Sequence, residues 1–409
     1  MKHGLDILQE RGFIKQCTNL AGLRDCMDKH PVTLYVGVDP TGSSLHVGHM
    51  VPFFAMAHLQ RSGHRPIALV GGGTGMIGDP SGKTEMRQML TLEEIERNMV
   101  NIRSQLSRVV DFSEGAGIMV NNYDWLGGLN YIEFLRDIGC HFSVNRMLSF
   151  ESYKQRLEKG LSFIEFNYQL LQSYDFLKLF QEYDCRLQMG GDDQWGNIVS
   201  GMELIRRIEG EEVYGLTFHL VTRSDGKKMG KTEKGAVFLD PDRFSVFDFY
   251  QYWRNVADAD VIKFLKLFTF LPIEEIEEYA SLEGQEINRA KELLAFEQTK
   301  IIHGEDEARR AVEAAKSAFS AAGTSKDAIP SITVARSELD EGIEVTDLFS
   351  RTDLCASRGD ARRLIQQGGA RINDRKIPAI DTVIDVSWEQ EGELLLRAGK
   401  KRYFRITVE

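Results

Sequence analysis

The chain has few of the features that mark secreted, membrane-spanning or disulfide-bonded proteins. Of its 409 residues, five are cysteines and nine are prolines. The cysteines are odd in number and scattered, without a Cys-x-x-Cys pair. This argues against a disulfide framework or a structural zinc site and favours a reducing cytoplasm. No apolar run approaches the roughly 18 residues that a membrane span needs. Residues 1–16 mix charges with isolated apolar side chains, so we expect no secretory signal and no membrane partner.

Positive charge is also scarce, with 50 Lys and Arg against 61 Asp and Glu, a net charge of −11. The deficit of positive charge is not uniform along the chain. Residues 343–409 carry a net charge of +1, so the remainder carries −12. Within that last segment, residues 351–376 contain seven basic and three acidic side chains. Such a patch is either a solvated face or a surface for an acidic partner such as a nucleic acid, and local distribution matters more than total charge.

The length exceeds what one ordinary core accommodates, and a 42% hydrophobic composition is normal for a globular protein. The first half alternates β-branched runs with amphipathic segments, which predicts an α/β fold with a parallel sheet. Helical periodicity dominates afterwards, and an Ala/Ser/Gly-rich stretch precedes a small α+β segment. We therefore predict three domains and a linker, with these bounds: α/β at 1–240, all-α at 241–322, linker at 323–340 and α+β at 341–409.

Individual elements follow from the spacing of apolar residues. The predicted strands are 32–38, 66–70, 186–190, 370–372, 393–396 and 403–408. The predicted helices in the first half are 95–109, 161–182 and 194–207.

The first chemical motif is Asp-Pro-Thr-Gly-Ser-Ser-Leu-His-Val-Gly-His at 39–49, directly after a predicted strand. Ser44 is a natural helix N-cap, which predicts that His46 and His49 lie three apart on one face of a helix. Gly48 has no side chain, so a flat ring or a ribose can approach the backbone. A helix N-terminus also favours phosphate. Metal binding or simple capping is the alternative, but no third ligand with suitable spacing lies nearby.

The second motif is the glycine-rich segment 71–84. Its Gly73-x-Gly75-x-x-Gly78 pattern matches a dinucleotide fingerprint, so an NAD-dependent oxidoreductase is a competing hypothesis. A true fingerprint opens a helix at once, whereas helical periodicity here starts only near Thr91. A P-loop ending in Lys83-Thr84 would need glycine where Ile77 stands. The residues around these glycines therefore fit neither a dinucleotide-binding fingerprint nor a P-loop.

The third motif, Gly-Lys-Lys-Met-Gly-Lys-Thr at 226–232, places Lys228 and Lys231 three apart between glycines. A cationic loop of this kind suits a pyrophosphate leaving group, whose charge grows in the transition state. The alternative is a solvated surface loop.

The fourth motif lies on the predicted helix 161–182. Tyr168, Gln172 and Asp175 are spaced i, i+4 and i+7, which makes a polar stripe separate from an apolar face that includes Phe163. These acceptors suit an ammonium or a hydroxyl group, and a stripe facing water is the alternative. A fifth motif, Gly-Gly-Asp-Asp-Gln-Trp-Gly-Asn at 190–197, follows a strand at the place where open α/β sheets bind ligands.

Taken in order, His46-Val-Gly-His49, Gly191-Asp-Asp-Gln-Trp-Gly196 and Lys228-Met-Gly-Lys-Thr232 resemble the signatures of class I aminoacyl-tRNA synthetases. The chain is most similar to the bacterial tyrosyl-tRNA synthetase family over nearly its whole length. The resemblance implies a Rossmann-like catalytic domain, a helical anticodon-side domain and a C-terminal domain similar to S4 RNA-binding domains. It further implies a cytoplasmic homodimer whose interface lies in a segment inserted at about 111–160.

The resemblance also implies the reaction: tyrosine and ATP form tyrosyl-adenylate and pyrophosphate, and the tyrosyl group passes to tRNA(Tyr). Mg²⁺ would arrive on the ATP phosphates, without a protein-ligated metal. The implied tyrosine-binding residues are Tyr35 and Asp175 at the phenol hydroxyl, Asp79, Tyr168 and Gln172 at the ammonium, and Gln194 near the carbonyl. The implied ATP-binding residues are Asp39, Thr41, His46, Gly48, His49, Asp193 and Lys231. The implied catalytic residues are His46, which faces the γ-phosphate, His49, near the ribose, and Lys83, Arg87, Lys228, Lys231 and Thr232, which close over the departing pyrophosphate. The implied tRNA contacts are Arg358, Arg362, Arg363 and Arg371.

The third signature departs from the usual Lys-Met-Ser-Lys-Ser, because Gly230 and Thr232 replace its serines. We expect the glycine to add flexibility and the threonine to retain a hydroxyl. Two other hypotheses remain: a tryptophanyl-tRNA synthetase, which would not use Tyr35 and Asp175, and an RNA-binding protein on a degenerate synthetase fold. Degeneration should have erased at least one signature His or Lys, and all are present.

Overall fold

The chain divides into two units, Met1–Arg309 and Arg310–Glu409, in a computed structural model. The structure describes residues 2–81, 91–113, 115–226, 229–232, 235–320, 330–373, 375–390, 392–399 and 402–408, with the backbone alone for Leu92, Gln155, Lys231, Thr232 and residues 317–320. Within those ranges no helix is long and apolar enough to cross a membrane.

A six-stranded sheet organises the first unit, with the order β1-β6-β5-β2-β3-β4. Every neighbouring pair is parallel except β1 with β6. The strands are β1 (Ile14–Cys17), β2 (Thr33–Val38), β3 (Arg65–Val70), β4 (Ile118–Asn121), β5 (Cys185–Gly191) and β6 (Tyr214–Phe218). The predicted parallel α/β architecture is confirmed, and the three strands predicted in this unit are found to within one or two residues at most ends.

Helices cover and connect these strands. They are α1 (Gly4–Glu10), α2 (Leu20–Lys29), α3 (Val51–Arg61), α4 (Leu92–Leu106), α5 (Tyr123–Leu126), α6 (Tyr131–Asp137), α7 (Val144–Ser149), α8 (Glu151–Leu157), α9 (Phe163–Tyr183) and α10 (Trp195–Ile208). A short hairpin, β7 (Lys231–Thr232) and β8 (Gly235–Ala236), follows the sheet.

The long helix α9 is firmly defined at both ends. Ser162 and Glu165 form a capping box at its start. Glu165 is also paired with Arg156 at 2.9 Å, with both side chains almost completely buried. The helix ends where Asp184 adopts a left-handed conformation (φ 48°). Phe163, predicted on the apolar face, is instead 71% exposed, because it lies in the first turn beyond the core.

The remaining helices, between residues 246 and 320, begin in the first unit, and the last of them crosses the boundary after Arg309. They are α11 (Val246–Arg254), α12 (Asp258–Phe268), α13 (Ile273–Glu278), α14 (Ile287–His303) and α15 (Glu305–Ser320). Trp253 lies at the centre of their core, edge-on to Phe264 and Phe268 with ring centroids 6.1 and 5.2 Å away.

The second unit has its own sheet and core. Its sheet order is β12-β11-β14-β15-β9, and β9 pairs in parallel with β15 from within the stretch predicted as a linker. The core includes Phe349, Ile372, Leu396 and Phe404. The elements are β9 (Ser331–Val334), α16 (Arg336–Glu341), β10 (Ile343–Glu344), α17 (Val345–Ser350), α18 (Arg358–Gln366), β11 (Ala370–Ile372), β12 (Arg375–Lys376), β13 (Val383–Ile384), β14 (Glu393–Ala398) and β15 (Arg402–Val408).

Candidate active site

The motif residues of the first unit lie at one edge of the six-stranded sheet. Asp39 directly follows β2, and the glycine-rich segment 71–75 follows β3. The single turn Asp192–Gln194 follows β5. Because these three strands are parallel neighbours, their carboxyl ends open on the same crevice, which is where α/β sheets bind ligands.

Of the two signature histidines, His49 lies in a 3₁₀ turn, Val47–His49, ahead of α3, and His46 directly precedes that turn. Their rings stack with centroids 3.7 Å apart, so the prediction that they share one face is confirmed. The predicted cap is wrong, because His46 takes that place and its Nδ1 accepts a hydrogen bond from the Gly48 N–H at 3.1 Å. The Ser44 hydroxyl instead accepts the backbone N–H of Asp240 at 3.2 Å.

The backbone of the third motif packs on the first motif. Gly230 has φ +79°, and a Cβ there would lie 2.9 Å from the Gly48 nitrogen. The Gly230 carbonyl accepts from Val237 N–H at 2.9 Å, and the Val237 carbonyl accepts from Val47 N–H at 3.0 Å. Glycine at 230 therefore permits a left-handed backbone and a close approach, where a serine would be strained and would collide.

A buried polar pair lies between β2 and α9. Asp175 is 1% exposed and accepts hydrogen bonds from Asn122 Nδ2 at 3.0 Å and Trp125 Nε1 at 2.8 Å. Burial raises the pKa of Asp175 to about 7, although both hydrogen bonds act to lower it. Tyr35 is equally buried, and its hydroxyl has no hydrogen-bond partner in the described part of the chain. Burial, and then the charge of Asp175, raises the pKa of Tyr35.

A hydrogen-bonded chain connects this pair to the end of β2. Tyr168 donates to Asp39 Oδ2 at 3.0 Å, and Thr74 donates to Asp39 Oδ1 at 2.8 Å. Thr74 in turn accepts from Asn122 at 2.9 Å. Since Tyr168 and Asp175 are both buried, the alternative of a stripe facing water is wrong for these two residues.

A second network gathers the residues predicted at the ammonium and carbonyl groups. Gln194 Nε2 donates to Asp79 Oδ2 at 2.8 Å. Asn197 Nδ2 lies between Gln172 Oε1, at 2.9 Å, and Gln194 Oε1, at 3.2 Å. Asp79 is 8% exposed, and its other oxygen accepts from Ser81 N–H at 2.9 Å. The structure thus brings a carboxylate and amide oxygens together, and these groups are suited to an ammonium.

The turn that carries Asp193 is held by hydrogen bonds to the preceding residue, Asp192. Asp192 Oδ1 accepts from Gln16 on β1 and from Thr217 on β6, each at 3.0 Å. Thr41 is exposed just beyond β2, and its N–H donates to the Asp39 carbonyl at 2.8 Å. No group of three or more His, Cys, Asp or Glu side chains suited to a metal ion was found among the described residues.

Several predicted residues lie outside this description. Lys83, Arg87 and Lys228 are outside the described residues, as are the side chains of Lys231 and Thr232.

Sequence reasoning gave no individual role to four residues that organise the site, although two of them lie within the second and fifth motifs: Thr74, Asn197, Asn122 and Trp125. Asn122 could have been identified from the sequence, because it directly follows β4 at the carboxyl edge of the sheet. Trp125 gave no sequence signal, since its indole reaches Asp175 across fifty positions of the chain.

Three of the arginines predicted to contact tRNA, Arg358, Arg362 and Arg363, lie on α18 in the second unit, and Arg371 lies on β11. Arg358 pairs with Asp347 at 2.5 Å, and Arg363 pairs with Asp360. Arg362 is exposed. The pair of Arg363 with Asp360 is exposed on both sides, and exposed ion pairs contribute little, about 0–1 kcal/mol.

Comparisons with known proteins agree with this geometry. Residues 27–320 match the family described as tRNA synthetases class I (W and Y), and residues 322–406 match the tyrosine–tRNA ligase SYY-like C-terminal domain. The chain is 56% identical to the tyrosine–tRNA ligase of Acetivibrio thermocellus over 408 residues, covering 100% of both chains. It is 58% identical to that of Treponema denticola, covering 99% of both.

Solved structures show the same relationship. A C-terminally truncated mitochondrial tyrosyl-tRNA synthetase from Aspergillus nidulans has a TM-score of 0.68 and 31% identity, covering 77% of this chain and 94% of that one. A tryptophanyl-tRNA synthetase from Encephalitozoon cuniculi shares the fold alone, with a TM-score of 0.55 and 15% identity over 74% of this chain and 87% of that one. The signature motifs, their common crevice and these matches agree: the chain belongs to the class I tRNA synthetase family of the tryptophan and tyrosine enzymes.

Proposed function

We propose that the chain is a tyrosine–tRNA ligase that forms tyrosyl-adenylate from tyrosine and ATP and then charges tRNA(Tyr). The buried Asp175 beside the unpartnered Tyr35 hydroxyl carries this proposal. A phenol hydroxyl placed there donates to the carboxylate and accepts from Tyr35. A phenylalanine ring or an indole brings no such hydroxyl, and this disfavours the tryptophan-specific alternative.

The proposed chemistry is positioning rather than acid–base catalysis. The tyrosine carboxylate is already a nucleophile, so activation needs no general base. Asp79 and Gln172 hold the ammonium in this proposal, while Gln194 lies near the carbonyl and Asp193 at the ribose. The crevice then orients the attack on the α-phosphorus of ATP.

The remaining ATP contacts come from the two signature motifs. We place Thr41 and His46 at the γ-phosphate, with His49 near the ribose and Asp39 bordering the adenylate. Lys83, Arg87, Lys228, Lys231 and Thr232 complete the proposed set by stabilising the charge that grows on pyrophosphate. Mg²⁺ would enter with the ATP phosphates and supply further charge stabilisation.

The direct test is ATP–pyrophosphate exchange with tyrosine, tryptophan and phenylalanine assayed in parallel. We expect exchange with tyrosine and little with the other two amino acids. Exchange with tryptophan in place of tyrosine would move the assignment to the sibling enzyme. Absence of exchange with all three would refute an activating enzyme.

Tyrosine binding should depend on pH through Asp175. Because its pKa is raised to about 7, the carboxyl is protonated below that value and then no longer accepts fully from the phenol, Asn122 and Trp125. We expect tyrosine affinity to rise with pH through about 7, by up to about tenfold per pH unit below it. Equilibrium dialysis between pH 5.5 and 7.5 measures this. Phenylalanine is the control for other titrating groups, and parallel profiles for both ligands would contradict the prediction.

The pH dependence of folding stability through Asp175 has the opposite sign to the pH dependence of tyrosine affinity. Since folding raises the pKa of Asp175 above its ordinary value of 3.8, its contribution favours the folded state at low pH and is lost as pH rises through about 7. A bound phenol offsets that loss.

We also propose that the protein is a cytoplasmic homodimer. All five cysteines are free, which suits a reducing compartment. Around α6 and α7, several large apolar side chains are exposed: Tyr131 (56%), Ile132 (70%), Leu135 (36%) and Val144 (56%). Such a patch supports an interface with a second copy. Sedimentation as a monomer at micromolar concentration would count against the dimer.

A further inference from the structure

The segment that leads into the third motif is held by a buried carboxylate of α12. Asp260 is 4% exposed, and its two oxygens accept the Ser224 N–H at 3.0 and 2.9 Å. Its Oδ2 also accepts the Ser224 hydroxyl at 2.9 Å. Three bonds from one residue, 36 positions away, converge on this side chain.

An ordinary helix-capping role does not account for this arrangement. An acidic residue in the first turn of a helix is favourable because of the helix dipole, and Asp258 in the same turn already provides one. Asp258 is 63% exposed and pairs with Lys291. Asp260, by contrast, is buried and directed at Ser224. Charge-assisted bonds to a desolvated carboxylate are the strong kind.

The far end of the motif is held from α11. The Tyr252 hydroxyl accepts the Gly230 N–H at 3.2 Å and donates to the Met229 sulfur at 3.1 Å. In addition, Lys263 of α12 donates to the Thr222 carbonyl at 3.0 Å. The described residues on both sides of positions 227 and 228 are therefore bonded to the helical part of the first unit.

Helix α12 is itself fixed at its opposite end. Arg11, which follows α1 and is 6% exposed, donates to the carbonyls of Lys266 at 2.9 Å and Thr269 at 3.0 Å, and also to Leu271. These carbonyls lie at the carboxyl end of α12 and just beyond it, where a cation is favourable. Contacts at its two ends thus connect α12 to Arg11, near the start of the chain, and to the segment that leads into the third motif.

The position of Gly230 also determines how the two signature motifs meet. It contacts the Gly48 backbone so closely that a Cβ would lie 2.9 Å from that nitrogen. Tyr252 therefore holds the residue that meets the turn carrying His49, while Asp260 holds Ser224, just before the third motif.

We propose that Asp260 and Tyr252 are positioning residues for tyrosine activation, which set where the third motif meets the first. This inference rests on the proposed function. Neither side chain contacts substrate in this proposal. Their loss misplaces groups that act in the transition state, and a misplacement of about 1 Å can cost up to about 100-fold in rate.

The test uses Asp260→Asn, Tyr252→Phe and the control Asp258→Asn in the full-length protein. We expect the rate of tyrosyl-adenylate formation, in single turnovers at saturating tyrosine and ATP, to fall by about ten- to 100-fold in Asp260→Asn and by a smaller factor in Tyr252→Phe. Tyrosine affinity should stay at its wild-type value, and the thermal unfolding midpoint shows that each variant is folded at the assay temperature. The control should retain the wild-type rate.

Two further outcomes keep the inference falsifiable. Ser224→Ala added to Asp260→Asn should lower the rate little further, because both changes remove the same contact. If Asp260→Asn fails to fold, Tyr252→Phe carries the test. A wild-type rate in Tyr252→Phe and in any folded Asp260→Asn, or a parallel loss of tyrosine affinity, would overturn the inference while leaving the proposed function intact. A wild-type protein without tyrosine-dependent exchange would overturn both.

Discussion

Asp175→Ala is expected to lower kcat/KM for tyrosine-dependent pyrophosphate exchange by about ten- to 100-fold. The change removes the carboxylate acceptor of the substrate phenol and of Trp125 Nε1, while Asn122 Nδ2 keeps its bond to Thr74. A hydrogen bond to a charged group contributes roughly 1.5–3 kcal/mol, and every 1.4 kcal/mol is a factor of about ten, so the lost bond to the phenol sets the size of the effect. Steady-state exchange at varied tyrosine concentration measures the loss.

A matched control comes from the end of the same helix. Asp184→Asn changes a carboxylate whose side chain is 65% exposed and whose left-handed conformation asparagine tolerates, so exchange should be unaffected. The low rate with phenylalanine should change far less than the rate with tyrosine, so selectivity collapses. Tyrosyl-tRNA synthetases are themselves the established example of such discrimination, at about 10⁵-fold, so that size is a precedent and not our estimate. An equal loss for both amino acids would contradict the role of Asp175.

Truncation after Ser320 is expected to abolish tRNA charging while leaving pyrophosphate exchange within about twofold of the full-length value. The removed part has its own sheet and core, and the site residues described above all belong to the first unit. Loss of the four predicted arginine contacts at roughly 1–3 kcal/mol each would weaken charging by about 10³-fold or more. Aminoacylation and exchange, measured on the same preparation, separate the two steps.

The cut at 320 preserves the local structure better than a cut at 342. Strand β9 pairs with β15, so a cut at 342 would leave one strand without its partner. A truncated relative has been crystallised, which supports the feasibility of the experiment. Arg362→Ala in the full-length chain is a milder companion, expected to weaken charging without affecting exchange. Loss of exchange on truncation would mean that the second unit is needed for the first to fold.

The periodicity of the sequence was enough to predict most elements that frame the site. The strands that end at Val38 and Val70 and the helix that carries Asp175 were predicted because buried strands and amphipathic helices leave strong patterns. Placement of Asp39, Gly71 and Asp192 at one edge then follows from parallel pairing alone. The fold class and the crevice were therefore accessible without coordinates.

Side-chain partnerships were not accessible in this way. The partners of Asp175 come from after β4, and those of Asp260 from a loop 36 residues earlier, so no local spacing reveals them. Gly230 was expected to add flexibility, but its importance lies in a contact with Gly48, which is distant in sequence. The prediction of a helix cap at Ser44 was wrong for the same reason, because the Ser44 hydroxyl accepts a hydrogen bond from a backbone N–H that is distant in sequence.

Gln172 and Asp175 lie on a single capped helix, α9. This limits how the site can change during evolution or by engineering. One extra residue inserted ahead of them would rotate both by about 100°, away from the pocket together. In the proposed binding mode these two residues hold opposite ends of the amino acid, so the spacing between them is fixed by the helix. Admitting a substrate with a longer backbone would then require rebuilding the helix and not the exchange of one side chain.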